Sequence, residues 1–321
     1  MSAAHTYPSD LSSAIGPAWN RFWFTPRNAR TLGILRIVVG LMAFYTIATF
    51  APDLERWFGA GGMLPLSMIR SLYENQPSLL DLVPFGMLWP FYWASLAAIA
   101  LFTLGIGGRY AAVAATAATL SFFSRAPLLT GEYEPILAFL MVYLCVGRAN
   151  DEFSVPVILR RRGSAGASPA LPPASARLSS PQASLQLPAS PANTISLRLL
   201  QIHLAMVHLM MACAMLAAPE SAWWNGEGIY LAAMRPGMSL IDPTLLTDHP
   251  RIVAAWSHAI TLYLLAFPVL VWIRLVRPLV LVLGVAIWLS IAAASGWVMF
   301  SLAMLVGLVA FIDRGGDAPT L

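Results

Sequence analysis

The fold class of this chain is decided by two uncharged apolar stretches, VAAWSHAITLYLLAFPVLVWI at Val253–Ile273 and LVLVLGVAIWLSIAAA at Leu279–Ala294. A helix that crosses the hydrocarbon core of a bilayer needs about 20 mainly apolar residues. Three further stretches have the same character, at Thr31–Ala51, Gly86–Ile106 and Ile195–Ala218. The sequence therefore predicts an all-α, polytopic helical membrane protein.

The number of spans depends on three shorter apolar stretches, at Ala111–Phe123, Ile136–Val146 and Trp297–Ile312. If all of them cross the bilayer, the protein has about eight transmembrane helices. If the first two pair as re-entrant segments, the count falls to seven or six. Arginines concentrate in alternate loops of the eight-span arrangement, and cytoplasmic loops collect arginine. We therefore expect eight spans in the inner membrane of a cell, with both termini in the cytoplasm.

The composition of the 321 residues supports this class and argues against several others. Hydrophobic residues make up 58% of the chain and charged residues 11%, whereas roughly a quarter of a soluble domain is charged. This balance argues against a soluble enzyme, a disordered chain and a nucleic-acid binder. The lipid bilayer is the partner that the composition indicates, and no protein partner is indicated. Cys145 and Cys213 lie in apolar runs and form no metal or redox motif.

A Pro-rich linker divides the chain into two membrane halves. The predicted parts are a cytoplasmic and interfacial segment (1–29), a first four-span half (30–150), an Arg-rich and then Ala/Ser/Pro-rich flexible cytoplasmic linker (151–194), a second four-span half (195–313) and a short tail (314–321). Within the first segment, the aromatic residues of 17–24 predict a helix at the lipid headgroups, because aromatic rings prefer that level. Residues 1–15 fit a disordered tail equally well.

Two longer segments on the opposite side of the predicted membrane are expected to lie on its face and cover the helices. Pro52–Phe85 contains a glycine-rich turn and an amphipathic stretch at Leu66–Tyr73. Pro219–Arg251 begins with Trp223 and Trp224. We expect both segments to support the outer ends of the spans.

Ionisable groups at membrane depth are costly and by default indicate function. Arg36 lies near the start of the first span, where a structural anchor is favoured over a ligand contact. In the fifth span, Gln201, His208 and Met215 share roughly one face because of their spacing, whereas His203 points elsewhere. The two histidines are therefore a poor metal pair, and we favour interhelical hydrogen bonds for both.

Other ionisable groups lie near the predicted membrane boundaries. Glu132 and Glu134 flank Tyr133 before the fourth span, where paired carboxylates could split their pKa values and perform acid–base chemistry. The favoured interpretation is that Glu132 and Glu134 are solvated and lie near an arginine. His258, in the sixth span, is expected to pack or hydrogen-bond near the outer interface.

Four stretches, in order, carry a resemblance to a known family. They are Arg30–Gly40, Gly131–Leu144 with Phe153–Val155, Arg198–His203 followed by Trp223–Gly226, and Val271–Leu281. In these motifs the chain resembles the HTTM family, the membrane domains related to vitamin K-dependent gamma-glutamyl carboxylase. The resemblance covers nearly all of residues 15–315 apart from the linker. It implies a helical bundle with a lipophilic pocket.

The departures from the family pattern concern its proton chemistry. In the position that the resemblance implies for the family's catalytic lysine, this chain has Met215. If the alignment is shifted by two residues, the matching residue is Ala217. His208 occupies the position of a tyrosine that is common in the family. A glutamate and a histidine of many bacterial relatives match Leu264 and Trp288. The chain contains no lysine, and arginine cannot replace a neutral amine base because it stays protonated. We therefore expect no carboxylase activity.

Three functions remain open from the sequence, and a proton-coupled transporter is a weaker fourth because the sequence shows neither paired broken helices nor a repeat. The favoured one is binding of a quinone or lipid in a helix-bundle pocket, without the carboxylase reaction. The candidate pocket residues are Arg36, Gln201, His203, His208, Met215, Trp223, Trp224 and His258. The second is an enzyme of quinol- or lipid-linked chemistry, including a divergent carboxylase-like activity, that uses His203, His208, Glu132 and Glu134. The third is a structural or partner-binding membrane subunit; no metal is expected for any of them.

Overall fold

The computed structural model describes residues 6–59, 61–73, 78–159, 189–217, 220–235 and 239–312. These described residues form helices and turns, and the only β-type pairing among them is an isolated bridge between Arg27 and Ser190. The predicted all-α class is therefore confirmed for this part of the chain.

The α-helices are numbered here in chain order. They are α1 (Thr6–Phe24), α2 (Arg30–Ala48), α3 (Leu54–Phe58), α4 (Leu66–Leu72), α5 (Leu88–Leu104), α6 (Gly108–Arg125), α7 (Glu134–Val146), α8 (Pro191–Leu216), α9 (Gly228–Ala233), α10 (Pro243–Thr247), α11 (Pro250–Leu270), α12 (Arg277–Ser295) and α13 (Val298–Leu308). Short 3₁₀ turns join several of them.

Among the described residues, five helical segments are long and apolar enough to cross a membrane. They are Arg30–Phe58, Phe85–Leu104, Pro191–Leu216, Pro250–Leu270 and Arg277–Ser295. Glu134–Val146 and Val298–Phe311 are shorter apolar helices, and α6 coincides with the remaining predicted stretch. Each predicted span thus corresponds to a helix, and the structure is compatible with a membrane protein. The total of eight crossings, the inner membrane and the cytoplasmic termini stay predictions.

The chain forms two compact units, whose limits differ from the two predicted halves. Unit 1 comprises the described residues of Met1–Leu129 and Met141–Arg198. Unit 2 comprises those of Thr130–Leu140 and Leu199–Arg314. The limits between the units therefore fall inside α7 and α8, and not at the linker.

The start of α8 differs from the sequence prediction. The helix begins at Pro191, inside the stretch assigned to the flexible linker and before the predicted start at Ile195. The reason is a set of contacts distant in sequence: the Asn193 side chain accepts from the Arg148 backbone N–H at 2.8 Å and donates to the Arg27 carbonyl at 3.0 Å. The remainder of the linker, residues 160–188, lies outside the described residues.

The aromatic segment at the N-terminus forms the C-terminal part of α1, which extends back to Thr6. Trp19 and Phe24 are exposed, as expected for rings at the lipid headgroups. The guanidinium of Arg198 lies 4.3 Å above the Phe22 ring, and its Nε donates to the Phe22 carbonyl at 3.2 Å. Unit 1 therefore holds the end of α1 against the start of α8.

Small residues allow the helices of unit 1 to approach closely. Gly40 of α2 faces Thr103 of α5, and a Cβ atom at Gly40 would collide with the threonine hydroxyl. Small residues at helix contacts are typical of membrane bundles, where apolar burial alone does not drive association.

The first predicted covering segment, Pro52–Phe85, is attached to α6. Ser78 donates to the Ser121 carbonyl at 2.7 Å, and Arg125 lies 3.5 Å from Asp81.

Arg36 is fully buried in unit 1, and it anchors the turn after α7. Its guanidinium donates to the carbonyls of Ala149 at 2.6 Å, Glu152 at 3.3 Å and Phe153 at 2.9 Å, and to Asn150 Oδ1 at 3.3 Å. A desolvated charge of this kind is tolerated only when several acceptors replace its hydration shell. These hydrogen bonds support the interpretation of Arg36 as a structural anchor.

Substitution of Arg36 tests this anchor. Arg36→Met removes the donor and leaves several buried carbonyls without a partner, so the free energy of unfolding should fall by about 3 kcal/mol. Arg30→Met, at the exposed start of the same helix, is the matched control and should change little. Unfolding in mixed detergent micelles measures both. Equal stability of the two variants would contradict the anchoring role.

Candidate functional site

An apolar cavity of about 220 Å³ lies within unit 2. Six of the thirteen residues in its wall carry sulfur or aromatic side chains. They are Met211 and Met215 of α8, Trp223, Trp288 of α12, Trp297 and Phe300. The cavity is partly open, so a molecule can enter it without unfolding the unit.

The end of α8 and the following turn build one side of the cavity. The last carbonyls of a helix have no partner within the helix, and here two side chains satisfy them. Ser221 Oγ donates to the Met215 carbonyl at 2.6 Å, and Trp224 Nε1 donates to the Leu216 carbonyl at 3.1 Å. Gly228 follows, where a side chain would collide with the Trp223 ring. The glycine therefore permits Trp223 to lie flat against α9.

A cation lies at the edge of the cavity. Arg235 belongs to the cavity wall, and its guanidinium lies 4.2 Å from the centre of the Trp297 ring. It is also 3.9 Å from Glu132 Oε1, and both side chains are about half exposed. An exposed pair at this distance is weak, so Arg235 stays accessible to an anionic group.

A buried aromatic and polar cluster lies directly behind the cavity wall. His208 of α8 is fully buried, and its ring stacks on Phe267 with 3.9 Å between centroids. The His208 ring also lies 6.0 Å from Tyr263 and 5.6 Å from Trp288. Trp288 thus belongs both to the cavity wall and to this cluster, which we call the His208 cluster (His208, Tyr263, Phe267 and Trp288).

Three polar atoms of the His208 cluster have no hydrogen-bond partner within the part of the chain that the structure describes: His208 Nε2, Tyr263 OH and Trp288 Nε1. His208 Nδ1 lies 2.8 Å from the Leu204 carbonyl, which only accepts, so Nδ1 carries a proton. In the neutral ring, Nε2 is therefore an acceptor, whereas Trp288 Nε1 is a donor and Tyr263 OH is both. Buried polar atoms normally have hydrogen-bond partners, and each atom without a partner lowers the stability of the fold by about 1–3 kcal/mol.

The predicted pocket residues have different positions. Met215 and Trp223 line the cavity, and His208 contacts its wall through Trp288. Gln201 donates through Nε2 to the Ala310 carbonyl at 2.7 Å, and the His203 ring stacks on Phe139 at 4.0 Å. Gln201 and His203 therefore hold unit 2 together through contacts outside the cavity wall.

Three further candidates lie outside the cavity wall as well. Trp224 is 52% exposed and caps α8, as described above. His258 is exposed and lies beside Gly226, a residue with a positive φ of 80° that closes the turn. Arg36 makes its hydrogen bonds within unit 1.

The four candidates for acid–base catalysis have separate neighbours. Glu132 faces Arg235, and Glu134 Oε2 accepts from the Gly131 backbone N–H at 2.8 Å. His203 stacks on Phe139, whereas His208 belongs to the buried cluster. Among the described residues, no group of three or more His, Cys, Asp or Glu side chains could hold a metal ion.

Sequence reasoning missed several residues of this site. Tyr263 and Arg235 belong to no motif of the sequence, and Trp288 enters the sequence analysis only as a departure from the family pattern. One signal was present: Tyr263 carries a hydroxyl within a long apolar stretch, and such a group needs a partner in a bilayer.

Comparison with known proteins found no matching family model, curated protein or solved structure. The HTTM resemblance therefore stays a prediction from the four sequence motifs.

Substitution of His208 tests whether its Nε2 atom has a partner in the folded protein. His208→Phe keeps the stack on Phe267 and removes an unsatisfied acceptor, so stability should be unchanged or slightly higher. His208→Ala opens a cavity and should lower the free energy of unfolding by about 3 kcal/mol. Thermal unfolding of both variants in micelles provides the measurement. A phenylalanine variant as unstable as the alanine variant would show that Nε2 is bonded in the native protein.

Proposed function

We propose that this protein is an integral membrane protein of HTTM type that binds a lipophilic molecule, a quinone or a lipid, in the cavity of unit 2, without carboxylase activity. The observation that carries the proposal is the apolar cavity backed by the His208 cluster, in which three polar atoms have no partner among the described residues. An apolar cavity with a few convergent polar groups is the usual form of a small-molecule site.

The volume of the cavity limits what it holds. About 220 Å³ exceeds the roughly 150 Å³ of an engineered cavity that binds benzene. It is smaller than the roughly 300–1,000 Å³ of pockets that enclose a drug-sized ligand. The cavity therefore suits a planar ring or the end of an acyl chain, while the remainder of the molecule stays in the bilayer.

The side chains favour a ring that carries oxygen atoms. Trp223 and Trp297 offer flat surfaces for offset or edge-on ring packing. Trp288 also borders the cavity but is fully buried, and its Nε1 is a donor without a partner among the described residues. A quinone carries carbonyl oxygens, which are the acceptors that such a donor needs.

The proposal excludes carboxylation on chemical grounds. Met215, the position that the resemblance implies for the family's base, lines the cavity with a thioether that cannot take up a proton. The chain has no lysine elsewhere. A different enzyme function is less well supported, because neither Glu132 nor Glu134 belongs to the cavity wall.

Filling the cavity tests this proposal. Met215→Trp adds bulk to the wall, so binding of a naphthoquinone such as menadione should weaken by tenfold or more, about 1.4 kcal/mol. Met210→Trp is the matched control, because Met210 is exposed on the same helix, and it should bind like the wild type. Titration of the full chain in nanodiscs, followed by tryptophan fluorescence quenching, provides the affinities.

A second arm distinguishes the ligand classes. Organic extracts of the purified wild type, analysed by mass spectrometry, should contain a quinone or a lipid enriched over the bulk membrane composition. Met215→Trp should lose that enrichment and Met210→Trp should keep it. Equal extracts and equal quinone affinity for the two variants would overturn the proposal.

A further inference from the structure

A second cleft, of about 360 Å³, lies within unit 1. The end of α7 and the turn after it, the start of α6 and the start of α8 form its walls. Apolar side chains and two arginines share these walls. They are Phe102, Leu144, Val146, Arg109 and Arg148.

The cleft lies at the ends of membrane-length helices. α5 ends at Leu104 just before the cleft, and α8 begins at Pro191 beside it. The Asn193 bond to the Arg148 backbone fixes these ends next to one another. The cleft is therefore at the boundary of the predicted bilayer, on the side where arginines concentrate in the sequence.

The two arginines of the cleft are accessible to a ligand, although Asp151 attracts Arg148. Both are exposed, and within the described ranges neither side chain makes a salt bridge or a hydrogen bond. The linker adds no counter-charge, because the sequence contains no Asp or Glu between Glu152 and Glu220. Asp151 is the acid in the wall. Burial raises its pKa, although Arg148 opposes that shift.

The backbone at the start of α6 is open to a ligand. Gly107 and Gly108 adopt positive φ values of 82° and 60°, and a Cβ atom at Gly108 would meet no other atom within 4 Å. No side chain caps the first N–H groups of this helix. Such N–H groups attract phosphate oxygens, so they add to the charge of Arg109.

The apolar wall indicates the source of the phosphate. A soluble phosphate needs only the cationic edge, whereas a phospholipid also brings glycerol and acyl carbons that the half-buried Cys145 and Val146 of the wall can contact. Basic pockets between membrane helices on the cytoplasmic side are suited to anionic headgroups. Arginine pairs with phosphate through two parallel hydrogen bonds, which gives direction as well as charge.

We propose that this cleft binds the phosphate group of an anionic phospholipid, held by Arg109 and Arg148 and by the backbone at the start of α6. The site is independent of the cavity in unit 2. It would fix one lipid at the arginine-rich end of unit 1.

Lipid titration of the full chain, followed by native mass spectrometry, tests this proposal. The wild type should prefer phosphatidylglycerol to phosphatidylcholine of the same chain length. In the double variant Arg109→Gln/Arg148→Gln, the affinity for phosphatidylglycerol should fall by about 30-fold, as expected for the loss of two arginines near a membrane surface. Arg274→Gln is the matched control, because Arg274 is exposed on the same predicted side and lies outside the cleft.

Two further measurements, hydrogen exchange and a titration with inorganic phosphate, distinguish the possible outcomes. Phosphatidylglycerol should slow hydrogen exchange at 105–112 and 147–151 of the wild type, a readout that does not depend on the folding of a variant. Equal lipid preference in the double variant and in Arg274→Gln, or no protection of these segments, would overturn the site. Stabilisation of the wild type by millimolar inorganic phosphate, without any lipid preference, would show that the ligand is a soluble phosphate and that the lipid assignment is wrong.

Discussion

The guanidinium of Arg36 is the interaction on which unit 1 depends. A charge inside an apolar helix must replace its lost hydration, and here the carbonyls of the turn after α7 provide the acceptors. The same side chain lies against Gly105, whose positive φ of 74° lets the turn between α5 and α6 approach closely. One buried cation therefore fixes both turns that border the cleft of unit 1.

Buried polar atoms without a partner among the described residues occur in both units. In unit 1 the guanidinium of Arg36 has four acceptors, although its Nε has none. In unit 2, His208 Nε2, Tyr263 OH and Trp288 Nε1 are such atoms, and their side chains pack against one another. Each buried polar atom without a partner lowers the stability of the fold. Three of them lie together in the His208 cluster, and one member of that cluster, Trp288, also lines the cavity of unit 2. The cavity and the cluster together make unit 2 the candidate functional unit, whereas the Arg36 hydrogen bonds anchor unit 1.

The two recognition sites proposed here share a physical design. Each has an apolar wall and an accessible arginine at its edge, Arg235 in unit 2 and Arg109 with Arg148 in unit 1. This combination suits amphiphilic molecules, because apolar atoms leave the bilayer at little cost while charged or polar atoms find a cation. The shapes differ, since aromatic rings line the first site and an open glycine backbone borders the second.

The sequence by itself determined the helices, because a bilayer requires long apolar segments whose backbone groups are satisfied within each segment. It also favoured an anchoring role for Arg36 and predicted that His208 and Met215 share one face of a helix. Only the tertiary structure decided that Gln201, His203 and His208, all on α8, have three different roles. Their partners Ala310, Phe139 and Phe267 come from distant segments, and helical periodicity gives the face of a side chain but not the neighbour that it meets.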